Sequence, residues 1–312
     1  MIYTVTLNPA VDRELIVPTI EYDSVLRALS CRTDYGGKGF NVSRMLRSLG
    51  TTSMALGFAG GRSGELLRDG LEALNINTDF VWIAGETRTN ISIFTQAQDH
   101  YLKVNEPGPT ISAEEQDELV EKVQEYARPG DWWVLAGSLP PGVPPAMYRR
   151  LIEMIQGEGA CVVLDTSDEA LREGCLAGPF LAKPNDAEIH KLTDLPVDSV
   201  PEIAAAALAL QQMGVRNVVV SLGKRGALLV TETQAWVAAS PTIVEKNPIG
   251  AGDSMVGGLV WGLSQEMPFP EALCWGVACG AATASLSGTA IGARELVESL
   301  RDQVYLTCLE LA

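Results

Sequence analysis

A chain of 312 residues, 46% of them hydrophobic, can bury a large core and fits one large domain or one domain with a small appendage. Its 23 lysines and arginines stand against 39 aspartates and glutamates, a formal charge of −16, which argues against nucleic acid or an anionic membrane surface as partner. Any anionic ligand must then meet locally placed cations, and the two histidines, His100 and His190, lie in no constellation that would support hydrolase or zinc chemistry.

The six cysteines (Cys31, Cys161, Cys175, Cys274, Cys279 and Cys308) form no C-x-x-C pair and sit mostly among apolar residues, the pattern of reduced thiols in a cytoplasmic protein. Residues 1–10 lack the basic-then-apolar pattern of a signal peptide. The apolar run 277–292 is built from Ala, Gly, Ser and Thr and suits close helix packing better than lipid. The expectation is a cytoplasmic protein without a membrane span.

The first predicted strand, 2–7, ends at Asn8-Pro9-Ala10-Val11-Asp12. Asp12 can accept two hydroxyl hydrogen bonds from a sugar, or simply form a turn. Segments 12–17 and 28–35 read as a hairpin without an intervening helix, and Arg27 just before the second could clamp a phosphate or be a solvated edge charge. Gly36-Gly37-Lys38-Gly39-Phe40-Asn41 then leads into a helix at 41–49. Its glycines allow close approach of a ligand, Lys38 supplies a cation, and Asn41 can both donate and accept. The alternative is a glycine turn with an Asn cap, and the spacing is not that of a Walker loop.

A strand at 53–58, a helix at 64–74 and a strand at 80–83 follow. Thr87-Arg88-Thr89-Asn90 opens a second hairpin, 90–97 with 100–105, and the two hairpins together predict a small antiparallel sheet projecting from the main domain. Helices at 113–127 and 145–156 flank a strand at 132–136, and another strand spans 161–165. Gly137-Ser138-Leu139-Pro140 falls at one strand end, and Lys183-Pro184-Asn185 follows a short strand at 180–182. Asn185 and Glu188 share a helical face, so they either order water around Mg²⁺ or form a capping box. After a helix at 200–213 and a strand at 218–221, Ser221-Leu222-Gly223-Lys224-Arg225-Gly226 could pass a nucleotide phosphate over its backbone or turn an ordinary hairpin.

This alternation predicts an α/β fold with a mostly parallel sheet covered by helices, whose ligands gather beyond the carboxyl ends of the strands. The richest motif comes last: Asn247-Pro248-Ile249-Gly250-Ala251-Gly252-Asp253-Ser254 feeds an apolar helix. Backbone N–H groups and the positive helix end suit an anion, and Asp253 suits a base facing a substrate hydroxyl during phosphoryl transfer. The plainer reading makes Asp253 a helix cap.

In this order, GGKGFN, GSLP, KPN with Glu188, SLGKRG and GAGDS resemble the ribokinase-like carbohydrate kinases in their phosphofructokinase B branch. The opening TVTLNPAVD and the TRTN segment are similar to its 1-phosphofructokinases and tagatose-6-phosphate kinases, and the resemblance spans essentially the whole chain. It implies a three-layer α/β/α domain with a small β-sheet lid from about 12–35 and 87–106, a homodimer made through that lid, ATP with Mg²⁺, and a monovalent cation near the Gly250 loop. By motif match Asp253 is the base, with Gly250, Ala251 and Gly252 as the anion hole. Asp12, Arg27, Gly37, Lys38, Asn41, Arg88, Asn90 and Ser138 hold the sugar phosphate. Lys183, Asn185, Ser221, Gly223 and Gly226 face the nucleotide, and Glu188 with Asn185 acts on the metal through water.

The substrate implied is fructose 1-phosphate, with tagatose 6-phosphate and fructose 6-phosphate as alternatives. Lys38 stands where the related minor 6-phosphofructokinases resemble GGGG, which disfavours the last. Phe40, where many relatives carry a smaller aliphatic residue, reads as a packing change. A dinucleotide-dependent oxidoreductase would need G-x-G-x-x-G after the first strand, where this chain has Asn8-Pro9-Ala10. A regulator that binds sugar phosphate without catalysis would be expected to lose the base, and Asp253 is present.

Overall fold

The computed structural model describes residues 1–97 and 100–309. In β1 (Ile2–Thr6) every residue is buried, because layers cover both faces of the strand, and this is why it carries no charged position and buries Thr4 and Thr6 beside Ile2, Tyr3 and Val5. The chain then leaves the main sheet through β2 (Ala10–Val17) and β3 (Ser30–Gly36) and returns by α1 (Lys38–Ser48), β4 (Met54–Ala59), α2 (Gly61–Ala73) and β5 (Asn77–Trp82). A second excursion forms β6 (Arg88–Thr95) and β7 (Tyr101–Val104).

Alternating elements follow: α3 (Ala113–Tyr126), β8 (Trp132–Ala136), α4 (Met147–Gly157), β9 (Cys161–Asp165), α5 (Asp168–Leu176), β10 (Leu181–Ala182), α6 (Asp186–Thr193), α7 (Val200–Gln212) and β11 (Asn217–Ser221). The carboxyl-terminal part adds β12 (Ala227–Val230), β13 (Ala235–Ala239), α8 (Ala251–Ser264), α9 (Phe269–Ala284), α10 (Arg294–Arg301) and β14 (Tyr305–Leu309).

The main sheet runs β14-β13-β12-β11-β10-β9-β8-β1-β4-β5. It is parallel from β11 to β5 and antiparallel at its β12, β13 and β14 end. One core, with Leu119, Tyr148, Leu171, Ile189 and Leu210, packs α3 to α7 on one face. Another, with Val42, Met45, Val256, Leu259, Leu273 and Val297, packs α1, α8, α9 and α10 on the other. The result is the expected three-layer α/β/α arrangement. Phe40 is fully buried and packs on Phe80 with ring centroids 5.5 Å apart, in a satellite cluster under α2.

The second sheet, β3-β2-β6-β7, differs from the expected antiparallel one. Both hairpins are antiparallel internally, but β2 pairs β6 in parallel. Both strands leave tips of the parallel sheet, β2 from β1 and β6 from β5, so they set out in the same direction and meet side by side. Among the described residues no helix is long and apolar enough to cross a membrane. Because β1, β8, β9, β10 and β11 are neighbours, the segments at their carboxyl ends fall in one row facing the start of α8.

Candidate active site

At the head of α8, Gly250 takes a left-handed conformation with φ 78° and forms the N-cap without any side-chain cap bond. Asp253 lies three residues on, in the first helical turn, so it does not cap the helix. It is buried, and its Oδ2 accepts a hydrogen bond from Asn41 Nδ2 at 2.8 Å. Burial, reinforced by the charge of Asp165, pushes the Asp253 carboxyl up to about 6, while Lys38, the Asn41 hydrogen bond and Lys183 pull the other way. A carboxylate at that value is ionised at neutral pH yet basic enough to take a proton.

Two cations converge beside it. Lys38 Nζ lies 3.0 Å and Lys183 Nζ 3.4 Å from the same oxygen, Asp165 Oδ1. Burial works against charge on Asp165, but the two ammonium groups outweigh it and hold its carboxyl below the usual range. Asp165 in turn raises the Lys38 ammonium against the cost of its own burial. The other oxygen, Asp165 Oδ2, is buried without a partner. A side chain on Gly252 would begin 3.7 Å from Lys183 Nζ, which puts that ammonium against the start of α8.

The junction between the two sheets gathers the other predicted residues. Asp12 Oδ1 accepts from Asn90 Nδ2 at 2.8 Å, and burial raises the Asp12 carboxyl. A Cβ on Gly36 would sit 2.0 Å from Asp12 Oδ2, so a side chain there would push the carboxylate out of its present place. Arg88 donates from Nη1 to the Glu106 carbonyl at 2.9 Å and from Nη2 to the Asn8 carbonyl at 2.8 Å, and its Nε is buried without a partner. Asn8 Nδ2 donates to the Pro107 carbonyl at 3.0 Å and reaches Ser138 Oγ at 3.5 Å. Asn8 Oδ1, Asn90 Oδ1 and Thr6 Oγ1 are buried and unpaired. Gly37 precedes Lys38 at the N-cap of α1. Arg27 stands apart: it is exposed in the connection between β2 and β3, and no hydrogen bond or ion pair among the described residues joins it to this cluster.

On the other side of α8, a cleft of about 710 Å³ is lined by Asn185, Ser221, Gly223, Gly226, Ala251 and Gly252, with an apolar wall of Ile243, Val277, Ala281 and Ala284. A polar rim and an apolar wall suit a ligand with a flat ring and an anionic tail. Asn185 and Glu188 form a full capping box on α6, at 2.8 and 2.9 Å, with Asn185 Oδ1 and Glu188 Oε2 as acceptors. Gly226 has a second reason to be glycine, because a Cβ there would lie 2.0 Å from the Ala238 carbonyl.

Sequence reasoning missed Thr6, Asn8, Asp165 and the apolar wall. The one available signal was position: Asp165 closes a predicted strand, where this class of fold collects its ligands.

A model of the family described as pfkB family carbohydrate kinase matches residues 5–296. A 1-phosphofructokinase of Bacillus subtilis strain 168 is 39% identical over 310 residues, covering 99% of this chain and 100% of that protein. Solved structures of phosphofructokinase-2 from Escherichia coli superpose with a TM-score of 0.92 at 32% identity for a complex with potassium, and of 0.90 at 31% for a complex with fructose-6-phosphate. Each covers 96% of this chain and 98% of the other.

Proposed function

The chain belongs to the pfkB family of carbohydrate kinases and is an ATP-dependent sugar kinase, and from that premise we propose that it transfers the γ-phosphoryl group of ATP to fructose 1-phosphate, giving fructose 1,6-bisphosphate and ADP. The observation that carries the reading is Asp253, a buried carboxylate held near 6 at the head of α8 with Lys38 and Lys183 beside it. Asp253 takes the proton of the sugar hydroxyl as that oxygen bonds to the γ-phosphorus and the bond to the β,γ-bridging oxygen breaks, leaving with ADP. Backbone N–H groups of Gly250 and Gly252 and the two lysines meet the charge on the transferred group, whereas the Ala251 N–H, assigned to the same hole by motif match, already donates to the Pro248 carbonyl at 3.1 Å.

Asp12, Asn41, Asn90 and Ser138 bind the sugar hydroxyls and Arg88 meets its phosphate, while Lys38, set with Lys183 beside Asp253, serves the transferred group rather than the sugar's phosphate. Support comes from the unpaired buried atoms Arg88 Nε and Asn90 Oδ1, polar groups that cost free energy unless a ligand answers them. The cleft edged by Asn185, Ser221, Gly223 and Gly226 takes the nucleotide, its ring against Ile243 and Val277. Mg²⁺ fits the donor set: Glu188 has one oxygen outside the capping box, and a cation that keeps several waters needs few protein ligands. Glu188 and Asn185 would hold it through water, where it supplies charge neutralisation at the phosphates. A monovalent cation near the Gly250 loop is part of the same reading, suggested by the potassium complex of the E. coli enzyme.

The second sheet acts as a lid over the sugar and as the face of a homodimer, which fits its exposed Ile91, Tyr101, Leu102 and Val104. Arg27, outside the cluster within one protomer, reaches a sugar phosphate only if the lid moves or a partner's lid supplies it. All six cysteines are free, as befits the reducing cytoplasm. A specific observation keeps fructose 6-phosphate as the second substrate, namely the E. coli complex with that sugar phosphate. Steady-state kinetics with ATP and Mg²⁺ on fructose 1-phosphate, fructose 6-phosphate and tagatose 6-phosphate test the reading. We expect kcat/KM to favour the first by at least about tenfold, roughly 1.4 kcal/mol. A preference for either of the others overturns the substrate.

A further inference from the structure

Asn41 is the amide that meets Asp253, and an amide can present either its N–H or its carbonyl to a carboxyl group. What decides between them lies one helical turn away. Arg44, at i+3 on α1, donates from Nη1 to Asn41 Oδ1 at 3.3 Å and from Nη2 to the Thr289 carbonyl at 3.0 Å. A guanidinium has only donors, so it can face only the carbonyl end of the amide. The N–H end is then left for Asp253, where Nδ2 sits 2.8 Å from Oδ2. We propose that Arg44 is a positioning residue for phosphoryl transfer, fixing the Asn41 amide so that it donates to Asp253 and keeps that base ionised.

The proposal rests on the kinase reading above, in which Asp253 is the base. Its chemistry follows from which form of the acid each hydrogen bond favours. Donation from Asn41 stabilises the carboxylate, and it joins Lys38 and Lys183 in opposing burial and the charge of Asp165. Without Arg44 no side-chain hydrogen bond among the described residues holds the Asn41 carbonyl, so the amide can turn and accept from a protonated Asp253. The neutral acid gains the bond that the carboxylate loses, and the Asp253 pKa rises. Arg44 itself faces Asp34 and Arg32 on β3 and Asp12 on β2, so its own charge is held between the two sheets. Burial works to lower its pKa, and the acidic neighbours oppose this. Its grip on Thr289 ties the segment after α9 to the same point.

The test is the pH profile of kcat/KM for fructose 1-phosphate in the wild type, Arg44→Met, Asn41→Leu and the double variant. Asp253 must be ionised to act, so activity rises with pH through its pKa of about 6. In Arg44→Met the acid limb should move up by about one pH unit, a loss of about fivefold at pH 6 that nearly vanishes by pH 8.5. With Asn41 already replaced, removing Arg44 should displace the limb no further. A pH-independent loss, or an equal displacement in the Asn41→Leu background, overturns the proposal. Should Arg44→Met melt non-cooperatively, Arg44→Lys carries the test. One ammonium cannot hold both Asn41 Oδ1 and the Thr289 carbonyl, so a smaller upward displacement is expected, and an unmoved limb contradicts it. Turnover by the wild type tests the kinase reading separately.

Discussion

Lys183 and Asp165 are 4% and 1% exposed and meet 3.4 Å apart at the carboxyl ends of β10 and β9. Lys38 reaches the same carboxylate oxygen from α1, so a buried aspartate meets two cations, one buried and one partly exposed. The arrangement leaves a net positive charge where a phosphoryl group would pass, and it presses on Asp253 from one side.

Asp165→Asn should therefore have two effects of opposite kinds. Leaving Lys183 buried without its counter-charge should cost about 3 kcal/mol of stability, read from denaturant unfolding. Removing a negative charge that raises Asp253 should move the acid limb of kcat/KM to lower pH, the reverse of the Arg44 effect. A loss of stability with the limb unmoved would mean that Asp165 serves the fold alone.

Arg88→Ala removes the guanidinium whose two Nη atoms join the Asn8 and Glu106 carbonyls and whose inner Nε is buried and unpaired. If that Nε meets the sugar's phosphate, the charge-assisted bond contributes roughly 1.5–3 kcal/mol, and kcat/KM for fructose 1-phosphate should fall about 10- to 100-fold. Free fructose, tested as a poor substrate, should lose far less. Equal losses on both would make Arg88 a strut between the sheets.

Stability should depend on Asp253 in the direction opposite to activity. Its folded pKa, about 6, lies above that of an exposed aspartate, so its contribution to stability is full below about pH 4 and is lost as pH rises through 6. Asp253→Asn stays neutral throughout. At pH 8 it should unfold at a higher temperature than the wild type, by on the order of 1–3 kcal/mol in stability, with the difference closing below about pH 4. A less stable variant at pH 8 would show that the carboxylate is better compensated than its surroundings indicate.

Much of the candidate site was legible because its signals are local. The glycine turn before Asp253, the Gly36–Asn41 loop and the Asn185–Glu188 spacing each lie within a few residues, and the alternation of strand and helix gave the parallel sheet to place them on. What escaped depends on pairs far apart in sequence. Lys38 and Asp165 are 127 residues apart and Asn8 and Pro107 are 99 apart, so neither partner's spacing announces the other. The parallel pairing of β2 with β6 escaped for the same reason, since each hairpin reads as a closed antiparallel unit. Tyr305–Leu309 is a short strand at the sheet edge with weakly alternating burial, and Ala235–Ala239 is the short strand next to it. Arg44 lies outside every motif read from the sequence, and its hold on Thr289, 245 residues away, leaves no local sign.

The claim that Asp253 is the base of a phosphoryl transfer is tested most directly by the turnover of Asp253→Asn with fructose 1-phosphate, ATP and Mg²⁺, measured alongside ATP affinity on the same preparation. A loss in kcat on the order of 10²–10⁴ with nucleotide affinity nearly unchanged is the expected result, at the low end if the carboxylate mainly orients the hydroxyl. Near-normal turnover by the folded variant would contradict the account.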